Sequence, residues 1–185
     1  MTNVGKLVAI EPTLDEVATH ASLLAAGYND PENARHMGHV EQISELEVVE
    51  HYAAMLKEGA TVFLLYLDGT LVGDADLRGK RDGAAEFAFM IAARSQQGKG
   101  LGTKFALMVH AYAFAEAGLA RVYASVAPDN RASRRVFEKL GYIGDDGPDA
   151  RDFADEAGDV TMVIERAGFE SAHALELAQV RIGPR

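Results

Sequence analysis

A glycine-rich turn near the middle of the chain carries the residue types best suited to bind a charged ligand. In order, it consists of Gln97, Gly98, Lys99, Gly100, Leu101, Gly102 and Thr103. An amphipathic run over residues 105–112 follows directly and predicts a helix. Glycine removes side chains from the start of that helix, so bare backbone N–H groups stand at the positive end of the helix dipole. This arrangement predicts a site for a phosphate or pyrophosphate.

The glycine spacing excludes two other phosphate-binding loops. A P-loop needs four residues between its first glycine and a Gly-Lys-Ser/Thr sequence, and residues 98–104 do not supply them. The dinucleotide fingerprint GxGxxG also fails, because the three glycines alternate and none follows at the required position. The pattern that remains is Gln-x-x-Gly-x-Gly, formed by Gln97, Gly100 and Gly102.

A second block downstream has the form Asn-x-x-Ser followed by Glu-Lys-x-Gly-aromatic. It is made by Asn130, Ser133, Glu138, Lys139, Gly141 and Tyr142. The two blocks, in this order, resemble those of the GNAT acetyltransferase superfamily, most closely the ribosomal-protein alanine acetyltransferase type. The resemblance is strong from about residue 71 to residue 142 and faint elsewhere.

The resemblance implies how acetyl-CoA, the expected cosubstrate, would be held without a metal ion. Backbone amides from Gln97 to Thr103 would hold the pyrophosphate, and Asn130 would contact the pantetheine arm. A backbone N–H near Met90 or Ile91 would polarise the thioester carbonyl. The strand residues expected to pair along the pantetheine arm, like an added strand, are Met90, Ile91 and Ala92.

Two residues are candidates for moving protons. Glu86 is the expected base, acting directly or through water, because strand alternation can turn it toward the cleft and partial burial would raise the pKa of its carboxyl group. The alternative is that Glu86 lies on a solvated face. Many relatives place a tyrosine as general acid where this chain has Phe137, and some place a glutamate where it has Ser125. Ser133 is then expected to hydrogen-bond the departing thiolate, or else only to cap or pack its helix.

The implied architecture is a GNAT fold of the α/β (α+β) class in a single domain over residues 1–185. It has a mixed central sheet of about six to seven strands, whose fourth and fifth strands splay apart to make the cleft, and about four flanking helices. Hydrophobic patterns predict strands at residues 6–10, 62–67, 71–77, 84–92, 121–126, 142–143 and 159–165. Predicted helices cover residues 14–26, 44–59, about 103–117 and 130–140, with a short one around 172–180.

Composition limits the partners and the compartment. The net charge is -10 and the pI about 5.0, which argues against nucleic acid and favours a cationic substrate. The alternative is that the acidity only keeps the protein in solution. The chain has no cysteine, which excludes disulfides and a thiol nucleophile. No apolar run approaches the ~20 residues of a membrane span, so we expect no membrane association and a cytoplasmic protein.

The function predicted is acetyl transfer from the CoA thioester to a primary amine by direct attack in a ternary complex. The acceptor would be a protein N-terminus or a small amine, and a homodimer is possible. A non-catalytic acyl-CoA binding or sensing domain is the alternative, and a nucleoside-triphosphate binder is a third interpretation that the failed P-loop spacing disfavours. His36, His39 and His51 lack metal-site spacing and are expected on the surface or in a pocket wall. Tyr28 and Tyr123 are candidates for the pocket lining.

Overall fold

The computed structural model describes residues 2–4, 7–38 and 41–184, which build one nine-stranded sheet. The strands are β1 (Thr2–Val4), β2 (Leu7–Ile10), β3 (Thr61–Leu67), β4 (Thr70–Arg81), β5 (Ala84–Ile91), β6 (Arg121–Val126), β7 (Ile143–Gly144), β8 (Val160–Glu165) and β9 (Arg181–Ile182). Their order across the sheet is β7-β8-β6-β5-β4-β3-β2-β1-β9. The pairing of β5 with β6 is parallel, and every other pairing recorded for the described residues is antiparallel.

Eight α-helices accompany the sheet within the described residues. They are α1 (Leu14–Tyr28), α2 (Pro31–His36), α3 (Glu45–Lys57), α4 (Leu101–Ala115), α5 (Arg131–Leu140), α6 (Pro148–Arg151), α7 (Arg166–Ala172) and α8 (Ala174–Leu177). Thr13 and Ser44 close complete capping boxes at the starts of α1 and α3. Each of those side chains accepts the N3 backbone N–H while the N3 glutamate bonds back, as the sequence pattern predicts.

Alternation along β3 divides the core between the two faces of the sheet. Phe63 and Leu65 pack on one face in the larger cluster, which also contains Phe105 and Met108 of α4. Val62 and Leu64 pack on the opposite face with residues of α1 and α3. Successive strand side chains point to opposite faces, so one strand serves both cores. The sheet is therefore a middle layer, with α4 on one side and the α1–α3 pair on the other.

The predicted fold is confirmed, with additions at its edges. All seven predicted strands are present, and the sheet is extended by the short strands β1 and β9, which pair with each other. The first predicted strand began at Lys6, which lies outside the described residues, and β2 begins at Leu7. Four predicted helices correspond to α1, α3, α4 and α5. The helix predicted around residues 172–180 is instead two short helices, because His173 leaves the helical conformation at φ -117° and ψ 23°.

The splayed strands are β5 and β6, which are the fourth and fifth of the predicted strands. Their parallel register includes Ala84 with Arg121, Ala85 with Val122 and Glu86 with Tyr123, and it stops there. β6 continues to pair with β8 as far as Val126, so β5 beyond Glu86 pairs with none of the described strands on that side. An open wedge results, bounded by the second half of β5 and by β6.

Candidate active site

The open edge of β5 presents backbone groups to the wedge. Ala92 donates its N–H to the carbonyl of Val72 on the β4 side at 2.8 Å, and the β4–β5 register is unbroken from there to Glu86. Backbone groups of successive strand residues point to opposite sides, so Met90 and Ala92 face β4, whereas Ile91 faces the wedge. Of the three residues predicted to line the pantetheine arm, Ile91 alone offers its backbone amide to that space.

The glycine turn leaves a row of backbone donors beside the wedge. The N–H groups of residues 98–103 make no hydrogen bond to any residue that the structure describes, and Gly100, the N-cap of α4, supplies no side-chain cap. Gly98 and Gly100 adopt φ values of 70° and 79°, which L side chains rarely adopt. The N–H of Gln97 differs, since it bonds the carbonyl of Arg94 at 3.1 Å. Six consecutive amides at a helix N-terminus form a site for an anion.

Close packing holds this turn against β5. A Cβ atom on Gly102 would lie 2.9 Å from Cε2 of Phe89, so the first turn of α4 approaches β5 more closely than a side chain would allow. The side chain of Gln97 donates to the carbonyl of Ile91 at 2.9 Å, which ties the turn to the end of the strand. Lys99 and Lys104 are exposed beside the turn and add positive charge there.

The second sequence block borders the wedge from the β6 side. Asn130 caps α5, since its Oδ1 accepts the N–H of Ser133 at 3.1 Å. The hydroxyl of Ser133 is half-buried and has no hydrogen-bond partner in the described part of the chain. Phe137 is buried against Phe87 and Phe89, with ring centroids 6.2 and 5.9 Å apart. The position where many relatives carry a tyrosine therefore belongs to the apolar core here.

Helix α2 bridges the two sides of the wedge. At its start, Asp30 binds Arg94 after β5 through a hydrogen bond of 2.6 Å. Near its end, Arg35 forms an ion pair with Asp129 in the turn after β6. Nε2 of His36 lies 4.0 Å from the same aspartate, which places this histidine at the rim. His39 lies outside the described residues.

Glu86 forms a bidentate ion pair on the face of the sheet that α1 and α3 cover. Nε and Nη2 of Arg78 donate to its two oxygens, each at 3.0 Å. Nη2 of Arg78 also donates to Asp155 at 2.7 Å. Burial raises the pKa of Glu86, and the adjacent guanidinium opposes that rise. Both oxygens of the expected base are thus already engaged.

Two aspartates on β4 complete this face, and the sequence analysis did not single them out. Asp74 is buried and accepts hydrogen bonds from the hydroxyls of Tyr28 and Tyr52, the latter at 2.6 Å. Asp76 lies between Asp74 and Arg78 on the same face. Burial raises the pKa of Asp76 to about 7. The signal available beforehand was charge at every second position, Asp74, Asp76 and Arg78, in a strand otherwise apolar on its other face.

Two further predicted residues lie around this face. The ring of Tyr123 is buried and stacks on Phe153, with centroids 4.5 Å apart. Ser125 donates to Asp159 at 2.7 Å and accepts the N–H of Asp155 at 2.9 Å. The loop between β7 and β8 is thereby fastened over β6 beside the wedge.

The wedge, the amide row and the flanking blocks can be set beside known proteins. A family model described as an acetyltransferase (GNAT) domain matches residues 12–143. The chain belongs to the GNAT acetyltransferase family. No curated protein sequence matches it. The resemblance stated from the two sequence blocks is thus confirmed at the level of the family.

Solved structures of other GNAT proteins share the fold. The aminoglycoside acetyltransferase AAC(6')-Ib in complex with coenzyme A matches with a TM-score of 0.73 and 23% identity, covering 90% of this chain and 99% of that one. RimJ of Mycobacterium smegmatis, in complex with CoA-disulfide, gives 0.72 and 19%, covering 98% and 95%. Spermidine N-acetyltransferase from Vibrio cholerae, in complex with CoA and spermine, gives 0.70 and 19%, covering 89% and 98%.

None of the helices in residues 2–4, 7–38 and 41–184 is both long and apolar enough to cross a membrane. Within the same residues, no three histidine, cysteine or acidic side chains are grouped so that they could hold a metal ion.

Proposed function

We propose that this GNAT protein is an acetyl-CoA-dependent N-acetyltransferase that acts on a primary amine by direct attack in a ternary complex. The observation that carries the proposal is the row of six amides at the start of α4 that bond to none of the described residues, directly beside the wedge of β5 and β6. An anion site and an open strand edge together suit a ligand with a diphosphate and an extended amide-bearing arm. Acetyl-CoA is such a ligand, and its thioester supplies the acetyl group.

Each of the predicted contacts has a defined role in this proposal. The amides of residues 98–103 bind the diphosphate, and Lys99 adds charge. Ile91 donates its backbone N–H to the thioester carbonyl, where negative charge develops during attack. Asn130 has its Oδ1 engaged in the α5 cap, so its Nδ2 is the group left to bind the pantetheine arm. The hydroxyl of Ser133 hydrogen-bonds the departing thiolate.

The acceptor site in this proposal is the carboxylate-rich face beyond Glu86. Asp74, Asp76, Glu86 and Asp155 outnumber Arg78 there, which favours a ligand that carries an ammonium group. Some structural neighbours are described as aminoglycoside or spermidine acetyltransferases, and another is RimJ. Small polyamines, aminoglycosides and peptide N-termini are accordingly the three acceptor classes to compare.

A thiol-release assay tests the proposal. Purified protein is mixed with acetyl-CoA and, separately, with spermidine, kanamycin or an Ala-initiated peptide. We expect thiol release above the rate without amine for at least one of them, and an acetylated product by mass spectrometry. If the whole panel and a wider set of amines remain unmodified, transfer to amines is wrong.

Two observations favour the second candidate, a non-catalytic acyl-CoA binding or sensing domain. Phe137 cannot donate a proton, and both oxygens of Glu86 are held by Arg78. This candidate predicts CoA binding by calorimetry with no turnover of any amine. A cytoplasmic location and a homodimer stay predictions, and light scattering of the purified protein checks the second.

A further inference from the structure

Asp76 has a buried carboxylate oxygen without a partner. Its Oδ1 is buried and makes no hydrogen bond within the described part of the chain, and its side chain is 14% exposed. Its Oδ2 lies 3.8 Å from Nη1 of Arg78, beyond hydrogen-bond distance. Of the buried side-chain atoms that the structure describes, this oxygen alone is unsatisfied. Buried polar atoms are nearly always paired, so such an atom indicates a missing donor.

The position of Asp76 places this oxygen one strand away from the wedge, next to the unpaired part of β5. Asp76 pairs directly with Ala88 of β5, which lies two residues beyond the last register pair with β6. Ala88 is half-buried and carries only a methyl group on the face that Asp76 shares. The backbone of β5 at this point has no strand on its other side. A donor entering the wedge from the face of α1 and α3 would therefore meet Asp76 beside the open part of β5.

The neighbouring carboxylates already accept hydrogen bonds from other side chains. Asp74 accepts two tyrosine hydroxyls, and Glu86 accepts two bonds from Arg78. Asp155 is bound to the same guanidinium.

Several titratable and charged groups face Asp76. They are Arg78 and Asp74 on its own strand, Glu86 on β5, Asp155 in the loop before β8 and, more remotely, Tyr28 of α1. His51 of α3 lies near Arg78.

On the basis of the proposed acetyl transfer, we propose that Asp76, and not Glu86, binds the acceptor ammonium and removes its proton. An N–H bond of the ammonium breaks, the electron pair stays on nitrogen, and the proton passes to Oδ1 of Asp76. The neutral amine attacks the acetyl carbonyl carbon, the N–C bond forms and the C–S bond breaks. The second proton lost by nitrogen goes to the thiolate, which leaves as a thiol, and Asp76 returns its proton to water.

The chemistry of Asp76 suits this role better than that of Glu86. Desolvation raises the pKa of Asp76 to about 7, against the opposing effect of Arg78, so the carboxylate accepts a proton readily near neutral pH. Protonating Glu86 would instead remove charge from a bidentate ion pair. The Glu86–Arg78 ion pair therefore has a structural role, because it links β4 and β5 next to the site.

Substitution and a pH profile test the assignment, using the acceptor that gives the highest turnover in the panel. We expect Asp76→Asn to lower kcat/KM by about 10²- to 10⁴-fold, the range for loss of a general base, and to abolish the rise in rate toward pH 7. CoA affinity by calorimetry should stay within about twofold, since the amide row is untouched. Glu170→Gln is the control, because it removes an exposed carboxylate of α7, on the α4 side of the sheet, and should keep both the rise and the rate.

The variant Glu86→Gln tests whether Glu86 is the base instead. It should lower the melting temperature but retain the rise in rate at the same pH. If Glu86→Gln abolishes the rise while Asp76→Asn retains it, the base is Glu86 and the proposal is wrong. If both folded variants retain it, neither carboxylate is the base, and the proposal is equally wrong.

A readout that needs no turnover separates failure of this proposal from failure of the proposed function. In protein with ¹³C-labelled aspartate, a carboxyl resonance absent from Asp76→Asn should titrate near pH 7 and shift when n-butylammonium is added, but not when n-butanol is added. A resonance that titrates below pH 5, or that ignores the ammonium, would overturn the amine site. A response to the ammonium in a protein that acetylates nothing would leave the amine site standing and refute only the transfer.

Discussion

The Glu86 carboxylate and the Arg78 guanidinium face each other edge to edge, with both N–O distances at 3.0 Å. They belong to directly opposite positions of β4 and β5, at the last point where β5 also pairs with β6. The ion pair therefore lies level with the closed end of the wedge, on the β4 side of β5. Above it, β5 is held on one side only, and Asp76 is the next acidic position along β4.

Removing this ion pair should destabilise the protein more than removing an exposed one. Glu86→Gln leaves Arg78 with Asp155 and Asp76 as partners, so we expect a loss of about 1 to 3 kcal/mol, near the lower end for breaking a buried pair. The matched control is Glu138→Gln, which removes an exposed pair with Arg134 and should cost less than about 1 kcal/mol. Urea unfolding of both variants checks the difference. Equal losses in the free energy of unfolding would contradict a structural role for the buried ion pair.

Stability should fall as the pH rises from about 4 to 7. Asp76 has a folded-state pKa of about 7 against the ordinary aspartate value of 3.8, so in that window the folded state binds more protons than the unfolded state. The free energy of unfolding therefore decreases with pH across the window and levels off above it, by at most about 4 kcal/mol from this residue. Burial raises the pKa of Asp74 and Glu86 as well, which adds to the same trend.

Asp76→Asn should reduce the decrease in the free energy of unfolding between about pH 4 and pH 7. We expect the variant to be more stable than the parent protein at pH 8 and similar to it near pH 4, because the asparagine never has to carry a buried charge. Thermal unfolding at a series of pH values measures this, with Asp155→Asn as the exposed control. An unchanged slope would mean that Asp76 ionises in the folded state as readily as in the unfolded chain.

Gly100→Ala should weaken CoA binding and lower stability together. The alanine must adopt φ near 79°, which costs about 1 to 2 kcal/mol, and any relaxation turns an N–H away from the diphosphate. Loss of one bond to a charged group predicts a fall in CoA affinity of about tenfold or more. Gly118→Ala is the control, since it also has positive φ and open space around its Cβ but lies beyond the far end of α4. Calorimetry with CoA should show the loss only for Gly100→Ala.

The two roles assigned to Asn130 can be separated by two substitutions. Asn130→Ala removes the α5 cap and should cost about 1 kcal/mol, whereas Asn130→Asp keeps an acceptor for the N–H of Ser133. Both variants lose Nδ2. A rise in the KM for acetyl-CoA with both supports contact with the pantetheine arm, whereas a rise with Asn130→Ala alone would show that capping is its whole contribution.

Ser133→Ala tests the thiolate contact. The hydroxyl has no partner in the described part of the chain, so we expect the free energy of unfolding to change by less than about 0.5 kcal/mol. If the hydroxyl stabilises the thiolate, kcat falls about tenfold, in line with one hydrogen bond to a charged group. Steady-state kinetics at saturating acetyl-CoA measure it. An unchanged kcat would reduce Ser133 to a packing residue.

Local sequence patterns were sufficient for most of the fold. Thr13 and Ser44, each with a glutamate three residues on, predicted the starts of α1 and α3 because a capping box depends only on residues within one turn. Asp68 and Gly69, between β3 and β4, both have positive φ, and an Asp-Gly pair is typical of such a hairpin turn. β9 and the break at His173 were missed because short edge strands and short helices depend on long-range pairing more than on local propensity.

The sequence by itself determined the family and predicted the anion site. The family follows from the order and spacing of residues in short motifs. The anion site follows from backbone N–H groups within one turn, and contiguous residues are sufficient to specify both.

The tertiary structure decided which acidic side chain is available. Glu86 was a reasonable base on strand alternation, but only the β4–β5 register brings Arg78 onto both of its oxygens and leaves Asp76 without a donor. That register joins residues that are not neighbours in the chain, and the desolvation that shifts the pKa of Asp76 comes from packing of α1 and α3 over the same face. Cross-strand pairing and burial are properties of the assembled sheet, and so no single segment of the sequence contains them.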